Sequence, residues 1–271
     1  MERADGELPL VVVTGARAGV GATTVALNLA AVLADRGQKV LLVETAPLRH
    51  ESGDAIAARR DVEHGLGDVL AGTCGIEEAI VTGAGGLKML LQRSGSRGAT
   101  DPTRQAYERF LGELRSLKGR FDLIVVDAGR GQAQWSQRLW SQSKLIALVS
   151  TPDDDAVLDA YATIKQSVAS GDEWPVRLLV NQADSMAAAD RAHRRIYKSC
   201  QRFLSRSVPA LPALLRYESG NLGTRKPPRV WEVPNTPFGH AALWLGRAVG
   251  ELVIKEGRAE HGGETRWRAS A

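Results

Sequence analysis

The chain has 271 residues, of which 44% are hydrophobic and 24% are charged, so it is long enough to bury a substantial core in one large domain. Its formal net charge of +4 is only mildly basic, which permits contact with nucleic acid or anionic lipid but does not argue for either. No apolar stretch approaches the roughly 20 residues of a membrane-spanning helix. The two cysteines lack the spacing of a metal site or a disulfide framework, and the N-terminus does not suit a signal peptide, so we expect a cytoplasmic protein.

Apolar runs rich in β-branched residues alternate with amphipathic stretches, which predicts an α/β fold with a mostly parallel twisted sheet flanked by helices on both faces. The predicted strands are Leu10–Thr14, Lys39–Val43, Leu87–Gln92, Leu123–Asp127, Leu145–Ser150 and Arg177–Asn181. The predicted helices are Thr23–Arg36, Thr103–Lys118, Asp155–Ser170, Ala187–Leu204 and Phe238–Val253. We expect one domain over residues 9–255, between a flexible N-terminus at residues 1–8 and a flexible polar tail at residues 256–271.

The segment between the first predicted strand and the first predicted helix has the features of a phosphate-binding loop. Residues 11–24 read Val-Val-Val-Thr-Gly-Ala-Arg-Ala-Gly-Val-Gly-Ala-Thr-Thr. Glycines allow close backbone approach, and a helix N-terminus directs N–H groups at an anion. The usual pattern is Gly, four residues, then Gly-Lys-Ser/Thr. Here Ala16 stands at the first glycine, and Gly21, Ala22 and Thr23 stand at the last three positions. The loop is predicted to keep its shape without its lysine; the alternative is an ordinary turn between strand and helix.

Polar residues fall at the carboxyl ends of five predicted strands, where ligands bind in parallel sheets. They are Thr14, Glu44, Asp127, Ser150 and Asn181. Their convergence predicts one crevice at this edge of the sheet. Thr23 and Asp127 suit a magnesium site, because a hydroxyl and a carboxylate hold the metal in phosphoryl-transfer sites. As alternatives, Thr23 is only a residue of the first helical turn, and Asp127 only caps the turn that follows its strand.

Together these segments resemble the MinD/ParA family of deviant-Walker P-loop ATPases, which includes the FlhG-type flagellar placement proteins and the cellulose-synthase accessory ATPase. The resemblance covers the loop, first helix and first switch (residues 11–47), the second switch strand (121–131), the segment after the next strand (150–165) and the Leu-Val-Asn strand (178–182). Residues 65–92 resemble the FlhG-type branch. The resemblance implies a single-domain P-loop NTPase fold, binding of ATP or ADP with Mg²⁺, and a homodimer that sandwiches the nucleotide.

The resemblance also implies roles for individual residues. Arg17 takes the place of the signature lysine that reaches the other subunit's phosphates, and Ala22 replaces the loop lysine, an exchange similar to that of the cellulose-synthase accessory branch. In the first switch, Glu44 and Ala46 stand at the two aspartate positions, the second of which helps to position the attacking water. The implied nucleotide-binding residues are Arg17, Gly19, Val20, Gly21, Ala22, Thr23, Thr24 and Asn181, the last at the position that contacts adenine. The implied metal ligands are Thr23 and Asp127, and Gly131 also matches the second switch.

Nucleotide binding and hydrolysis are expected to differ in this chain. Backbone N–H groups, the helix dipole and Mg²⁺ hold phosphates without a lysine, and the guanidinium of Arg17 grips phosphate well. Hydrolysis is expected to be slow, because losing one preorganised donor typically costs on the order of 100- to 1,000-fold in rate. We assign no catalytic residue and predict a spatial regulator, with an unidentified protein partner, that positions flagellar, secretion or polysaccharide-synthesis machinery or DNA. The alternative is a pseudo-ATPase that serves as an interaction module.

Two charged segments remain. The basic residues Arg191, Arg195, Lys198 and Arg202 recur at three- and four-residue spacing, which places them in one stripe of a helix. The stripe is interpreted first as a solvated helix face. The alternative is a surface for DNA phosphates, anionic lipid or an acidic partner, and contact with lipid would imply a peripheral membrane location. Three consecutive aspartates, Asp153 to Asp155, are interpreted as an acidic helix N-terminus rather than a metal cluster.

Overall fold

The computed structural model describes residues 9–45, 62–92, 102–130, 134–169, 175–217 and 229–255. Within them one sheet contains β1 (Leu10–Gly15), β2 (Val40–Glu44), β3 (Ile80–Thr82), β4 (Lys88–Leu90), β5 (Leu123–Arg130), β6 (Leu145–Ser150) and β7 (Val176–Val180). The helices are α1 (Ala22–Asp35), α2 (Leu66–Ala71), α3 (Ile76–Ala79), α4 (Arg104–Ser116), α5 (Gln134–Trp140), α6 (Asp154–Ala169), α7 (Met186–Leu204) and α8 (Pro237–Gly250). Residues 1–8 and 256–271, with Ala46 and Gly131, lie outside the described ranges.

The sheet has the strand order β3-β4-β2-β5-β1-β6-β7, and β3 with β4 is the antiparallel pair. The pairs of β1 with β5 and β6, of β2 with β4 and β5, and of β6 with β7 are parallel. β1 and β6 are buried along their whole length. Val11 and Val13 pack in one core cluster with α1 and α8, whereas Val12 packs in a second cluster with α4. Helices therefore cover both faces of a mostly parallel sheet, which confirms the predicted fold class.

All six predicted strands are present, and β6 has the predicted bounds. β5 continues past Asp127 to Arg130, because its last residue still pairs with Gly15 of β1. β3 was not predicted. It is three residues long, it follows α3 directly, and it pairs with β4 at the edge of the sheet across the 3₁₀ turn Ala84–Gly86. So short a strand gives no measurable alternation of apolar and polar residues.

The five predicted helices are also present, as α1, α4, α6, α7 and α8. The additional helices α2, α3 and α5 have six, four and seven residues, too few for a clear helical periodicity. α8 packs against α1 at a glycine. A Cβ atom on Gly246 would lie 2.3 Å from a methyl carbon of Val32, so the close approach of the two helices requires glycine there. Among the described helices, none combines the length and the apolarity that crossing a bilayer requires.

Candidate functional site

The loop between β1 and α1 has the backbone shape of an anion cradle. Gly19 and Gly21 both adopt left-handed backbone conformations, with φ of 84° and 83°. α1 begins at Ala22, and its first turn has neither a side-chain cap nor an acidic residue. The first N–H groups of a helix need partners from outside the helix, and together they carry a partial positive charge. The loop and the start of α1 are therefore built to receive an anion.

Two amide side chains hold this loop from the end of β7. The Asn181 Nδ2 atom donates a hydrogen bond to the carbonyl oxygen of Val20 at 2.8 Å. The Gln182 Nε2 atom donates one to the carbonyl oxygen of Gly19 at 3.0 Å, and Gln182 itself has a positive φ of 55°. Asn181 is only 4% exposed. Its amide nitrogen thus positions the loop, a role that sequence reasoning missed.

At Gly21 any side chain would crowd the two amides that hold the loop. A Cβ atom there would lie 2.5 Å from the Asn181 Nδ2 atom and 3.3 Å from the Gln182 Nε2 atom. By contrast, a Cβ atom on Gly19 would meet nothing within 4 Å. Gly21 is therefore required for two independent reasons, its backbone conformation and its contact with the amide of Asn181.

Two acidic side chains lie next to each other where β2 and β5 end. Glu44 and Asp127 are register partners on these parallel strands and are 3% and 2% exposed. The backbone N–H and the hydroxyl of Thr45 both donate to the carbonyl oxygen of Asp127, at 3.0 and 2.8 Å. The Asp127 Oδ1 atom accepts from the N–H of Gly129 at 3.2 Å. Adjacent buried carboxylates repel each other, and a divalent cation would offset that repulsion.

The start of the loop joins the same edge of the sheet. The Thr14 hydroxyl donates to the carbonyl oxygen of Gly129 at 3.2 Å, and the N–H of Ala16 donates to Val149 at 2.9 Å. Ser150, at the end of β6, is buried and donates to the carbonyl oxygen of Ala156 at 3.0 Å. The structure thus brings the predicted strand ends to one edge, beside the loop.

Arg17 is held by acidic residues of its own chain. Its guanidinium lies 3.2 Å from a carboxylate oxygen of Asp155, 3.6 Å from one of Asp159 and 3.7 Å from one of Asp153. The pKa of Asp153 lies below its ordinary value, mainly because its carboxylate accepts a hydrogen bond from the Thr151 hydroxyl. A hydrogen bond from the backbone N–H of Ala156 and the positive charge of Arg17 lower this pKa further. The predicted acidic N-terminus of α6 is present, and it also forms the binding site of Arg17.

A cleft of about 570 Å³ opens beside the loop. It is lined by Arg17, Ala18, Gly19, Val20, Thr151, Pro152, Asp153, Gln182, Asp184 and Arg216. Its volume falls in the range typical of small-molecule sites. Asp184 and Arg216 form an ion pair across one side of it, with the Arg216 Nε atom 2.6 Å from the Asp184 Oδ1 atom. The sequence did not indicate either residue, because a single charged residue in a loop belongs to no recognisable motif.

Solved structures of several P-loop proteins share this fold. The chain superposes on MinD in the MinC:MinD cell division complex of Aquifex aeolicus with a TM-score of 0.67, at 21% identity, covering 96% of this chain and 98% of that one. It superposes on the MinD of Pyrococcus horikoshii, described in complex with Mg-ADP, with a TM-score of 0.65, at 23% identity, covering 90% and 96%. These similarities establish the fold.

Sequence relatives agree with the structural ones. Residues 9–131 match the family described as AAA domain. The antiactivator FleN of Pseudomonas aeruginosa is 26% identical over 262 residues, 89% of this chain and 93% of FleN. The septum site-determining protein MinD of Bacillus subtilis is 29% identical over 172 residues, 64% of each chain. The flagellum site-determining protein YlxH of Helicobacter pylori is 28% identical over 71% of this chain and 64% of YlxH. The chain is thus similar to proteins of the MinD and ParA type.

The similarity to FleN, MinD and YlxH confirms the resemblance predicted from the loop and the switch strands. Ala22 is the first residue of α1, is 9% exposed and packs in the core cluster of α1 and α8. Thr23 and Thr24 follow it in the first turn of the helix and are half-buried. Their roles toward nucleotide and metal stay predictions.

The predicted basic stripe lies on the exposed side of α7. Arg191, Arg195, Lys198 and Arg202 are exposed, while Ala192, Ile196 and Cys200 are buried on the opposite side. Arg195 is already paired with Asp154, at 2.6 Å. Arg202 lies over the ring of Phe203, which is 63% exposed. Two of the four basic side chains of the stripe are thus already in contact with other side chains of this chain. The role of the stripe as a contact surface stays a prediction.

Proposed function

We propose that this MinD/ParA-like chain is a nucleotide-dependent regulator that helps to position a larger assembly, and that it hydrolyses ATP slowly or not at all. In this proposal ATP or ADP binds over the loop through the N–H groups of residues 19–24 and the end of β7, and Arg17 reaches the phosphates bound by the other subunit. Thr23 and Asp127 hold Mg²⁺, which supplies positive charge beside the phosphates. A Mg²⁺ ion needs few protein ligands when phosphate oxygens complete its coordination.

One observation carries the binding part of the proposal. The loop keeps two left-handed glycines, an uncapped helix N-terminus and two amide contacts from β7, although it lacks the lysine. A loop that served only to connect β1 to α1 would not need Gly21 against Asn181, where a Cβ atom has no room. The similarity to the site-determining proteins MinD and YlxH supports the part of the proposal that concerns positioning of an assembly.

The slow hydrolysis rests on the residues that are missing. Phosphoryl transfer depends mainly on positioning and on charge stabilisation, and the loop lysine provides both at the β- and γ-phosphates. Ala22 provides neither. Ala46, at the switch position that orients water in the family, lies outside the described residues, and its side chain is likewise apolar. Both substitutions act in the same direction, although their effects need not add.

Ala22 also supports a second candidate, a pseudo-ATPase that keeps the fold as an interaction module and no longer binds nucleotide. The two candidates differ in what nucleotide does to stability. A ligand that binds only the folded state raises its stability, by about 2.7 kcal/mol at a concentration of 100 times Kd. The proposed function therefore predicts that Mg-ATP and Mg-ADP raise the melting temperature, and the interaction module predicts no change.

The remaining parts of the proposal concern where and with what the chain acts. We place it in the cytoplasm, with an unidentified protein partner and with either DNA or an anionic membrane as the platform. The exposed stripe of α7 supports such a contact through phosphate groups, which basic residues bind without reading sequence. The similarity to the antiactivator FleN and to the flagellum site-determining protein YlxH supports a role in positioning an assembly such as the flagellum.

The proposed homodimer leads to a prediction for Arg17. In the free chain its guanidinium is held by Asp155 and Asp159, so it must leave them to reach the phosphates on the other subunit. We expect a non-hydrolysable ATP analogue to double the mass measured by light scattering, and the Arg17→Ala variant to remain a monomer. The corresponding substitution of an exposed arginine on α7, Arg191→Ala, should dimerise like the wild type.

A second variant tests the same residue in the opposite direction. Substituting both Asp155→Asn and Asp159→Asn removes two exposed ion pairs, each worth about 0.2–1 kcal/mol, and leaves Arg17 only the longer pair with Asp153, at 3.7 Å. The two pairs amount to about 0.4–2 kcal/mol in each subunit, so the dimer formed with the analogue should be at least about twofold tighter. If Arg17→Ala dimerises normally, Arg17 does not make the contact between subunits. If the double variant dimerises no better than the wild type, the acidic residues do not restrain it.

A further inference from the structure

We propose that Gln182 is a positioning residue of the phosphate site, held in a strained backbone conformation so that its amide can fix the orientation of the loop. This role rests on the proposed nucleotide binding and adds a residue that lies outside the phosphate-loop pattern. Among the described residues, Gln182 and Ser205 are the two residues other than glycine with a positive φ, at 55° and 52°. A side chain makes this left-handed conformation unfavourable, so each case needs a cause.

The ordinary cause of a left-handed residue applies to Ser205 but not to Gln182. Ser205 caps the end of α7, and helices commonly end in this conformation. Gln182 lies between β7 and α7, four residues before the helix begins. The residues on either side of it are anchored, since the N–H groups of Asn181 and Ala183 donate to neighbouring segments at 2.8 and 3.2 Å. These anchors hold Gln182 in its strained conformation, from which its side chain reaches the loop.

The amide of Gln182 sets the direction of one N–H group of the loop. Its Nε2 atom donates to the carbonyl oxygen of Gly19 at 3.0 Å. The C=O and N–H groups of a trans peptide unit point in opposite directions, so this hydrogen bond turns the N–H of Val20 away from β7. Asn181 acts in the same way on the next peptide unit, because it holds the carbonyl oxygen of Val20 and turns the N–H of Gly21 away. Successive N–H groups that point to one side form a concavity that binds anions.

The two N–H groups of this concavity are available to a ligand. Within the part of the chain that the structure describes, neither the N–H of Val20 nor that of Gly21 donates a hydrogen bond. A backbone N–H away from water needs an acceptor, and a phosphate oxygen would be one. Because Ala22 stands in place of the lysine, the oriented N–H groups supply a larger share of the phosphate contacts than in a loop that carries it. The strain at Gln182 is thus offset by phosphate binding rather than by the stability of the fold.

Two substitutions separate the amide of Gln182 from its backbone strain. Gln182→Gly removes both, whereas Gln182→Met keeps the strained backbone and the length of the side chain and removes only the donor. We expect calorimetry of the full chain with Mg-ADP to give a Kd about two- to tenfold higher than that of the wild type in both variants, the effect of losing one hydrogen bond. The melting temperature of Gln182→Gly should nevertheless equal or exceed that of the wild type, because glycine adopts a positive φ without strain.

Ser205→Gly is the matched control, because it relieves the same strain at the end of α7. It should leave the Kd for Mg-ADP unchanged, and its melting temperature should also equal or exceed that of the wild type. Weaker binding without a loss of stability is the result that a merely structural role of Gln182 would not produce.

Weaker binding of Mg-ADP in both Gln182 variants, with an undiminished melting temperature in Gln182→Gly, supports the positioning role. An unchanged Kd in either variant overturns it and leaves the proposed nucleotide binding intact. Weaker binding together with a lower melting temperature in Gln182→Gly also overturns it, because Gln182 would then act through the stability of the fold. If the folded wild type does not bind Mg-ADP, the proposed function and the positioning role both fail.

Discussion

Substituting Gly21→Ala should both destabilise the chain and weaken nucleotide binding. The left-handed backbone of Gly21 costs an alanine about 1–2 kcal/mol. The added Cβ atom would also displace the Asn181 amide from the carbonyl oxygen of Val20, and leaving a buried polar group unsatisfied costs about 1–3 kcal/mol. We therefore expect the free energy of unfolding to fall by roughly 3 kcal/mol in urea denaturation. Binding of a fluorescent ADP analogue should weaken tenfold or more, since the N–H groups of the loop move.

The matched control is Gly19→Ala in the same loop. Its backbone is equally left-handed, but the new Cβ atom meets nothing within 4 Å. This variant should lose only about 1 kcal/mol of stability and retain most of its affinity. Equal losses of stability and affinity in the two variants would show that the backbone conformation alone accounts for the need for glycine at position 21. The contact from Asn181 would then not hold the loop.

Restoring the missing lysine, Ala22→Lys, should have the largest effect on activity. Position 22 is the first residue of α1, directly after Gly21, where the family pattern places the lysine that contacts the β- and γ-phosphates. A charge-assisted hydrogen bond contributes about 1.5–3 kcal/mol, so ATP should bind at least tenfold more tightly. Phosphate release, near the background rate in the wild type, should increase on the order of 100-fold.

Ala18→Lys provides the control for this experiment. It adds the same charge to the same loop, but at an exposed position four residues earlier. It should strengthen binding only modestly through long-range attraction, and that gain should vanish at high salt. A wild-type rate of phosphate release equal to that of Ala22→Lys would contradict slow hydrolysis, and would mean that another group, such as Arg17, has taken over the role of the lysine.

The sequence predicted the features that depend on local pattern. Runs such as Leu123–Val126 predict strands buried on both faces, and the helix N-terminus after Gly21 follows from the glycine spacing. The convergence of Thr14, Asp127 and Asn181 at one edge follows from parallel topology alone. These features need no knowledge of which side chains meet.

The parts that were missed depend on contacts between distant segments. The hydrogen bond from Gln182 to Gly19, the ion pairs of Arg17 with α6 and the pair of Asp184 with Arg216 each join residues from separate segments of the chain. A single sequence contains no signal for such pairs, because each residue alone reads as an ordinary polar residue of a turn or helix. The interpretation of the aspartates before and within α6 was correct locally, and the structure adds the arginine that they hold.

The central claim is that the loop binds nucleotide without its lysine, and isothermal titration of the wild-type chain with Mg-ATP and Mg-ADP tests it most directly. The cradle of Gly19, Gly21 and the start of α1 predicts saturable heat with one nucleotide bound per chain, and binding at least tenfold weaker in Gly21→Ala. Absence of heat with both nucleotides, for a wild-type chain that circular dichroism shows to be folded, would contradict the account.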